Sequence, residues 1–196
     1  MSSTDPAFIE LMNKARSLFQ QGQNKKSIEA YREALLVFSD SLDALNEMGL
    51  VHIKIGEQVL AIIAFDMAIS IDPTDSRAHS NKAEAHITTG SYNEALEAAE
   101  VGLKYCPTCA DLWVKKARAL ESELKIDEAI DAYNEALKYK SDDPETWKAL
   151  ALCFDAKERW PEVARSYRIA ASLHRKRGEN QDAESCEKFA DFAEKS

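Results

Sequence analysis

Apolar residues recur along this chain at three- and four-residue steps, in short segments broken by glycine or by small polar pairs. Phe8, Leu11, Met12, Ala15, Leu18 and Phe19 fall on one side of a helix. Ser3-Thr4-Asp5-Pro6 reads as its start, with Thr4 or Asp5 as the cap and Pro6 in the first turn. Gln21-Gly22 stops it, because glycine takes the left-handed conformation of a helix end at little cost. A second helix follows, with Ile28, Tyr31, Ala34 and Leu35 on its inner face, and ends near Ser39-Asp40.

The two-helix pattern returns every 34 residues. IDEAIDAYNEAL (residues 126–137) aligns with NKKSIEAYREAL, QVLAIIAFDMAI and YNEALEAAEVGL upstream and with WPEVARSYRIAA downstream. A fixed period of this length predicts a stack of like supersecondary units. Three columns of small residues run through it. Ala15, Gly49, Ala83, Ala117 and Ala151 lie in the first helices; Ser27, Ala61, Ala95, Ala129 and Val163, then Ala34, Ala68, Gly102, Ala136 and Ala170, lie in the second. Small side chains let helix axes approach to about 8 Å. Tyr31, Phe65, Tyr133 and Tyr167 fill the space beside these approaches, with Ala99 as the gap. Gly22, Gly56 and Gly90 are the turns within pairs, and Leu124 and Glu158 hold that place in the last two.

These columns, with Pro73 and Pro107 at the joints, resemble the tetratricopeptide repeat. The motif is carried by Trp113, Ala117, Leu120, Ala129, Tyr133 and Ala136 in one unit, and by Leu45, Gly49, His52, Ala61, Phe65, Ala68 and Pro73 in another. The resemblance implies an all-α fold, a right-handed α-solenoid of five helix pairs: residues 8–41, 42–75, 76–109, 110–143 and 144–177. Lys14, Lys82 and Lys116 depart from the pattern where the family usually has Leu, and are expected to run along the helix edge. The fifth unit lacks a joint proline, so its second helix is expected to run from Pro161 to about Arg177. An amphipathic helix within 179–195, with Ala183, Cys186, Phe189, Ala190 and Ala193 inward, is expected to cap the stack.

The resemblance also implies a function. In the family the first helices line a concave groove that takes a segment of a partner protein. Carried across, those positions are Asn13, Arg16, Asn46, Leu50, Arg77, Asn81 and Glu84, then Lys115, Arg118 and Lys148. Ile9, Met12 and Phe19 add apolar surface at the first units. Asn46 and Asn81 suit a peptide backbone, because an amide side chain offers donor and acceptor together. Arg77, Lys115 and Arg118 suit carboxylates, so a partner with acidic residues is expected. One subclass grips acidic chaperone C-termini with a set of Lys, Asn and Arg in three successive first helices. No three consecutive units here reproduce that set, and that clamp is not expected.

Composition narrows the alternatives. A net charge of −9 with 30% charged residues argues against binding nucleic acid through a general basic field. The start, MSSTDPAF, lacks the pattern of a signal peptide, and no apolar run approaches the ~20 residues of a membrane span. A soluble, cytoplasmic, non-catalytic scaffold is expected, with no cofactor and no metal. All six glycines are used in turns, packing or a helix end, so none remains for a phosphate-cradling loop.

Two constellations keep chemistry open. Cys106-Pro107-Thr108-Cys109 has the spacing of half a zinc site or a redox pair, but no second close pair completes a zinc site, and Pro107 is already the joint proline. A metal- or redox-responsive module using Cys106 and Cys109 is the alternative from another class. His52 and His86 share a place in adjacent first helices, near His79, and read as core residues before they read as ligands. Self-association through Ile9, Met12 and Phe19 is the alternative among binding functions.

Overall fold

The computed structural model describes residues 3–196; Met1 and Ser2, part of the segment read for a targeting signal, lie outside them. Among the described residues there are helices and no strand, the all-α helical-repeat class expected. They form two compact units, one up to Cys106 and one from Pro107.

The first unit holds α1 (Pro6–Gln20), α2 (Asn24–Val37), α3 (Leu42–Lys54), α4 (Gln58–Ile71), α5 (Ser76–Thr88) and α6 (Tyr92–Tyr105). The second holds α7 (Ala110–Ser122), α8 (Ile126–Tyr139), α9 (Pro144–Asp155), α10 (Trp160–Lys176) and α11 (Asn180–Ala193). Asn24, Gln58, Tyr92, Ile126 and Trp160, which open α2, α4, α6, α8 and α10, stand 34 residues apart.

Helix starts alternate in chemistry. Most odd-numbered helices begin behind an oxygen cap: Asp5 accepts from the Ala7 amide, Ser41 from Ala44, Asp75 from Arg77 and Asp143 from Thr146. The even-numbered helices have no side-chain cap. They follow tight turns in which one residue takes positive φ and the next amide reaches back to a carbonyl five residues earlier, as Lys125 N–H does to Leu120 O at 2.9 Å. Gly56 takes this place with φ +82°, but Leu124 and Glu158 hold it with φ 61° and 54°. The turn geometry persists there because both of its hydrogen bonds are made, at a backbone cost of about 1–2 kcal/mol per non-glycine residue.

The small columns are fully buried. Ala15, Ala61, Ala83, Ala95, Ala117, Ala129, Ala151 and Ala170 expose nothing. At Gly49 an added Cβ would lie 2.4 Å from the Phe65 ring, so the approach of α3 to α4 admits no side chain. Ser27 is buried because its hydroxyl donates to Ala15 O at 2.8 Å, which satisfies it inside the α1–α2 crossing. In the second unit α11 packs on α10 through Ala183, Cys186, Ala190 and Ala193. Phe189 departs from expectation. It is more than half exposed, with its ring stacked on Tyr167 at 5.2 Å.

Candidate functional site

In the first unit α1, α3 and α5 are cross-linked by polar side chains. Arg16 on α1 holds Glu47 on α3 with both ends of its fork, Nε to Oε2 at 2.8 Å and Nη2 to Oε1 at 2.6 Å. The Tyr31 hydroxyl donates to the same carboxylate at 2.8 Å. This pairing raises the Arg16 pKa through its bond to Glu47. Burial, then the hydrogen bond to Glu47, push the Tyr31 hydroxyl above its ordinary value.

A second link joins α3 to α5. Asn46 is buried, and its Nδ2 donates to Leu42 O at 3.0 Å and to Asp75 Oδ2 at 2.8 Å. Its Oδ1 accepts from Asn81 Nδ2 at 3.1 Å. Asp75 also caps α5 through the Arg77 amide at 3.0 Å. Arg77 Nη1 reaches Asp43 Oδ1 on α3 at 2.8 Å. Half-exposed pairs of this kind contribute roughly 0.2–1 kcal/mol each, so their main effect is to fix side-chain positions.

This changes the expected site. Asn46 is not open to a peptide backbone, since both amide atoms are committed inside the protein. Asn81 is half-buried and spends a donor on Asn46. Met12 is buried and Phe19 half-buried, so of the three apolar residues expected to offer surface only Ile9 is exposed. Asn13 and Leu50 are exposed on the first helices, and Arg16 and Arg77 keep 47% and 59% of their side chains in solvent although paired. Glu84 is half-buried and engaged.

In the second unit Lys115 and Arg118 on α7 are half-buried and already hold partners, not free on a solvent face as the sequence suggested. Lys148 on α9 is held by Glu145 one turn earlier, at 3.0 and 3.2 Å. A cleft of about 220 Å³ lies beside Lys115, lined by Asp111, Val114, Lys140, Asp143 and Thr146.

The residues that sequence reasoning missed are carboxylates: Asp43, Glu47 and Asp75. Asp43 and Arg77 stand 34 residues apart, at one place of successive units, so the register alone carried a signal for that pair. Three of the four histidines are buried and make short polar contacts. His52 Nδ1 lies 2.7 Å from Glu57, the N-cap residue of α4, and His79 Nε2 lies 2.9 Å from Pro73 O. His174 repeats the first arrangement with Glu179, the N-cap residue of α11, at 2.7 Å. Asp182 joins these two with donor atoms within 4.8 Å, but the match to His52–Glu57 identifies the pair as a lock on a helix turn. His86 instead lines a cleft of about 400 Å³ with Asp66, His79, Lys82, Glu94 and Glu97, where burial and then Lys82 lower its pKa. Cys106 follows α6, Cys109 precedes α7, and neither is a free thiol. No helix among the described residues is long and apolar enough to cross a membrane.

Solved structures share this fold at low sequence identity. TTC0263 of Thermus thermophilus, a thermophilic tetratricopeptide repeat protein, superposes with a TM-score of 0.75 at 17% identity, covering 94% of this chain and 99% of its own. PilF of Pseudomonas aeruginosa gives 0.74 at 16%, covering 94% and 90%. MamA of Desulfovibrio magneticus RS-1, from residue 41 onward, gives 0.73 at 16%, covering 87% and 97%. No curated protein matches the chain in sequence. The sequence profile of the tetratricopeptide repeat, a family whose members generally mediate protein–protein interaction, matches residues 12–76, 80–144 and 114–162. With most of its length matched, and with helix pairs recurring in the family's period, the chain belongs to the tetratricopeptide repeat family.

Proposed function

We propose that this protein is a non-catalytic scaffold that holds a segment of a partner protein against its first helices. Its repeats are taken as residues 8–41, 42–75, 76–109, 110–143 and 144–177. The observation that carries the reading is the cross-linked face of α1, α3 and α5. Arg16 and Arg77 are held in place by Glu47, Asp43 and Asp75, yet stay about half in solvent beside exposed Asn13, Leu50 and Ile9. Fixed guanidinium groups lose little freedom when a ligand arrives, which favours binding through preorganisation. Arg offers five N–H donors, and the two bonds that each guanidinium makes to internal carboxylates leave capacity for a partner's acidic side chain. The first helices of the second unit offer Lys115, Arg118 and Lys148 as half-buried, already engaged cations. On that unit's own first-helix face they shape the surface more than they grip.

A pull-down from native extract compares the wild type with Leu50→Glu/Arg77→Glu. The control is Lys25→Glu/Lys26→Glu, on exposed positions of α2. The groove pair is expected to lose the retained partner and the control to keep it, and bound material should elute with salt as screened charges do. Equal loss with the control, or none with the groove pair, would place the binding surface elsewhere.

A further inference from the structure

Helix α4 is unlike the other second helices. In α2 its outer positions are Lys25, Lys26, Glu29 and Glu33, and in α8 they are Asp127, Glu128, Asp131 and Glu135. At the same four places, one repeat after α2 and two before α8, α4 carries Val59, Leu60, Ile63 and Met67, followed by Ile71. These five side chains are 40% to 72% exposed. Their spacing of three and four residues makes one stripe along the helix, and a helix that is apolar on all sides is normally buried. Asp66 is the only charged residue of α4; it lies at the stripe's edge, where Lys82 holds it at 2.7 Å.

We infer that the outer face of α4 is an interface with a second copy of this chain, formed by two α4 helices packed antiparallel about a two-fold axis. The stripe itself carries no charge, so pairing it with itself puts none in the seam; Asp66 at its edge is paired by Lys82, and Glu57 and Asp72 stay at the two ends of the helix. A two-fold axis near Phe65 sets Ile63 against the partner's Met67 and Val59 against the partner's Ile71, with the three- and four-residue steps of a helix–helix seam. The five residues expose on the order of 450 Å² of apolar surface, within the range that marks interaction patches. Two stripes with their rims cover roughly 1,000 Å², the lower end of specific association. A lipid surface is the poorer occupant, because α4 has no Lys or Arg and is flanked by Glu57 and Asp72. This face is distinct from the first-helix surface proposed above and stands or falls separately from it.

Sedimentation velocity over a wide concentration range tests the inference on the full chain. The wild type is expected to show a reversible monomer–dimer equilibrium. Ile63→Glu and Met67→Lys are each expected to weaken it at least a hundredfold, with helicity and Tm retained, because both side chains are about half exposed and α2 and α8 carry charges at these places. Mixing the two variants is expected to restore a heterodimer, since the new Glu meets the new Lys across the two-fold. Val59→Lys, at the most exposed position of the stripe, serves if either variant fails to fold. A wild type that stays monomeric throughout overturns self-association and assigns the stripe to a different protein. Variants that still dimerise overturn α4 as the interface, and a mixture that stays monomeric overturns the antiparallel pairing.

Discussion

Gly49→Ala measures how tightly the first unit is packed. Gly49 lies inside α3, where replacing glycine by alanine normally stabilises a helix by about 0.8–1.0 kcal/mol. Here the new Cβ would sit 2.4, 2.7 and 3.0 Å from three carbons of the Phe65 ring. A carbon contact below about 3.4 Å is repulsive, and Phe65 is fully buried between Ala61 and Ala68, so the ring has no free space to enter. Moving α3 away from α4 by the missing ångström would open gaps along the whole crossing. Overpacking of this kind costs about 1–3 kcal/mol, and after the propensity gain the expected net loss is up to about 2 kcal/mol. Urea unfolding followed by circular dichroism reads this as a lower midpoint at unchanged slope. An equal or higher midpoint would show that the Gly49–Phe65 contact does not limit the helix approach, and the small-column explanation of the repeat would lose its best-defined case.

Leu124→Gly is expected to stabilise the protein by up to about 1 kcal/mol in the same assay, because it relieves a positive φ at a side chain that is 83% exposed and packs against little; a destabilised variant would mean that Leu124 is not strained. The Cys153 thiol is buried, and burial pushes its pKa up to about 12, so it should resist alkylation in the native state at pH 8 and react once the chain unfolds. Because the unfolded thiol ionises near its ordinary value while the native one stays neutral, native stability should fall between about pH 9 and 12, and Cys153→Ala should flatten that part of the pH–stability curve. An unchanged slope would remove Cys153 as its source.

Much of the architecture was legible because packing constraints leave few residue types to choose from. A column that must be alanine, glycine or serine for two helices to meet is visible in any alignment of a chain with itself, and so is a turn position that recurs every 34 residues. The register even located Leu124 and Glu158, whose left-handed backbones no local rule would assign to leucine or glutamate. The polar site was less legible. A position on the first-helix face says that a side chain points away from the core, not what it meets there. Arg16 meets Glu47, and Asn46 meets Asp75, because neighbouring first helices lie within side-chain reach, and partner choice there depends on a few tenths of an ångström. Lys115 and Arg118 show the same limit: their place on α7 follows from the register, but their half-buried, engaged state does not.

Phe189 and the α4 stripe are both more exposed than their apolar character suggests, and they share a cause. Periodicity reports that a residue lies on an apolar face; it does not report whether another element covers that face. Phe189 follows the inward spacing of α11 and stacks on Tyr167, yet it stays more than half exposed. Val59, Leu60, Ile63 and Met67 belong to a helix with a single charged residue, yet they are exposed. What distinguishes them in the sequence is comparison with the other copies of the repeat. In α2 and α8 all four of these positions carry acidic or basic residues, and in α6 and α10 two of the four do, so the loss of every charge in α4 is a local change on an otherwise constant scaffold. A repeat protein thus carries its own control. Core columns must agree among copies because the packing is the same, whereas a departure confined to one outer face has no packing reason and points to something that binds there.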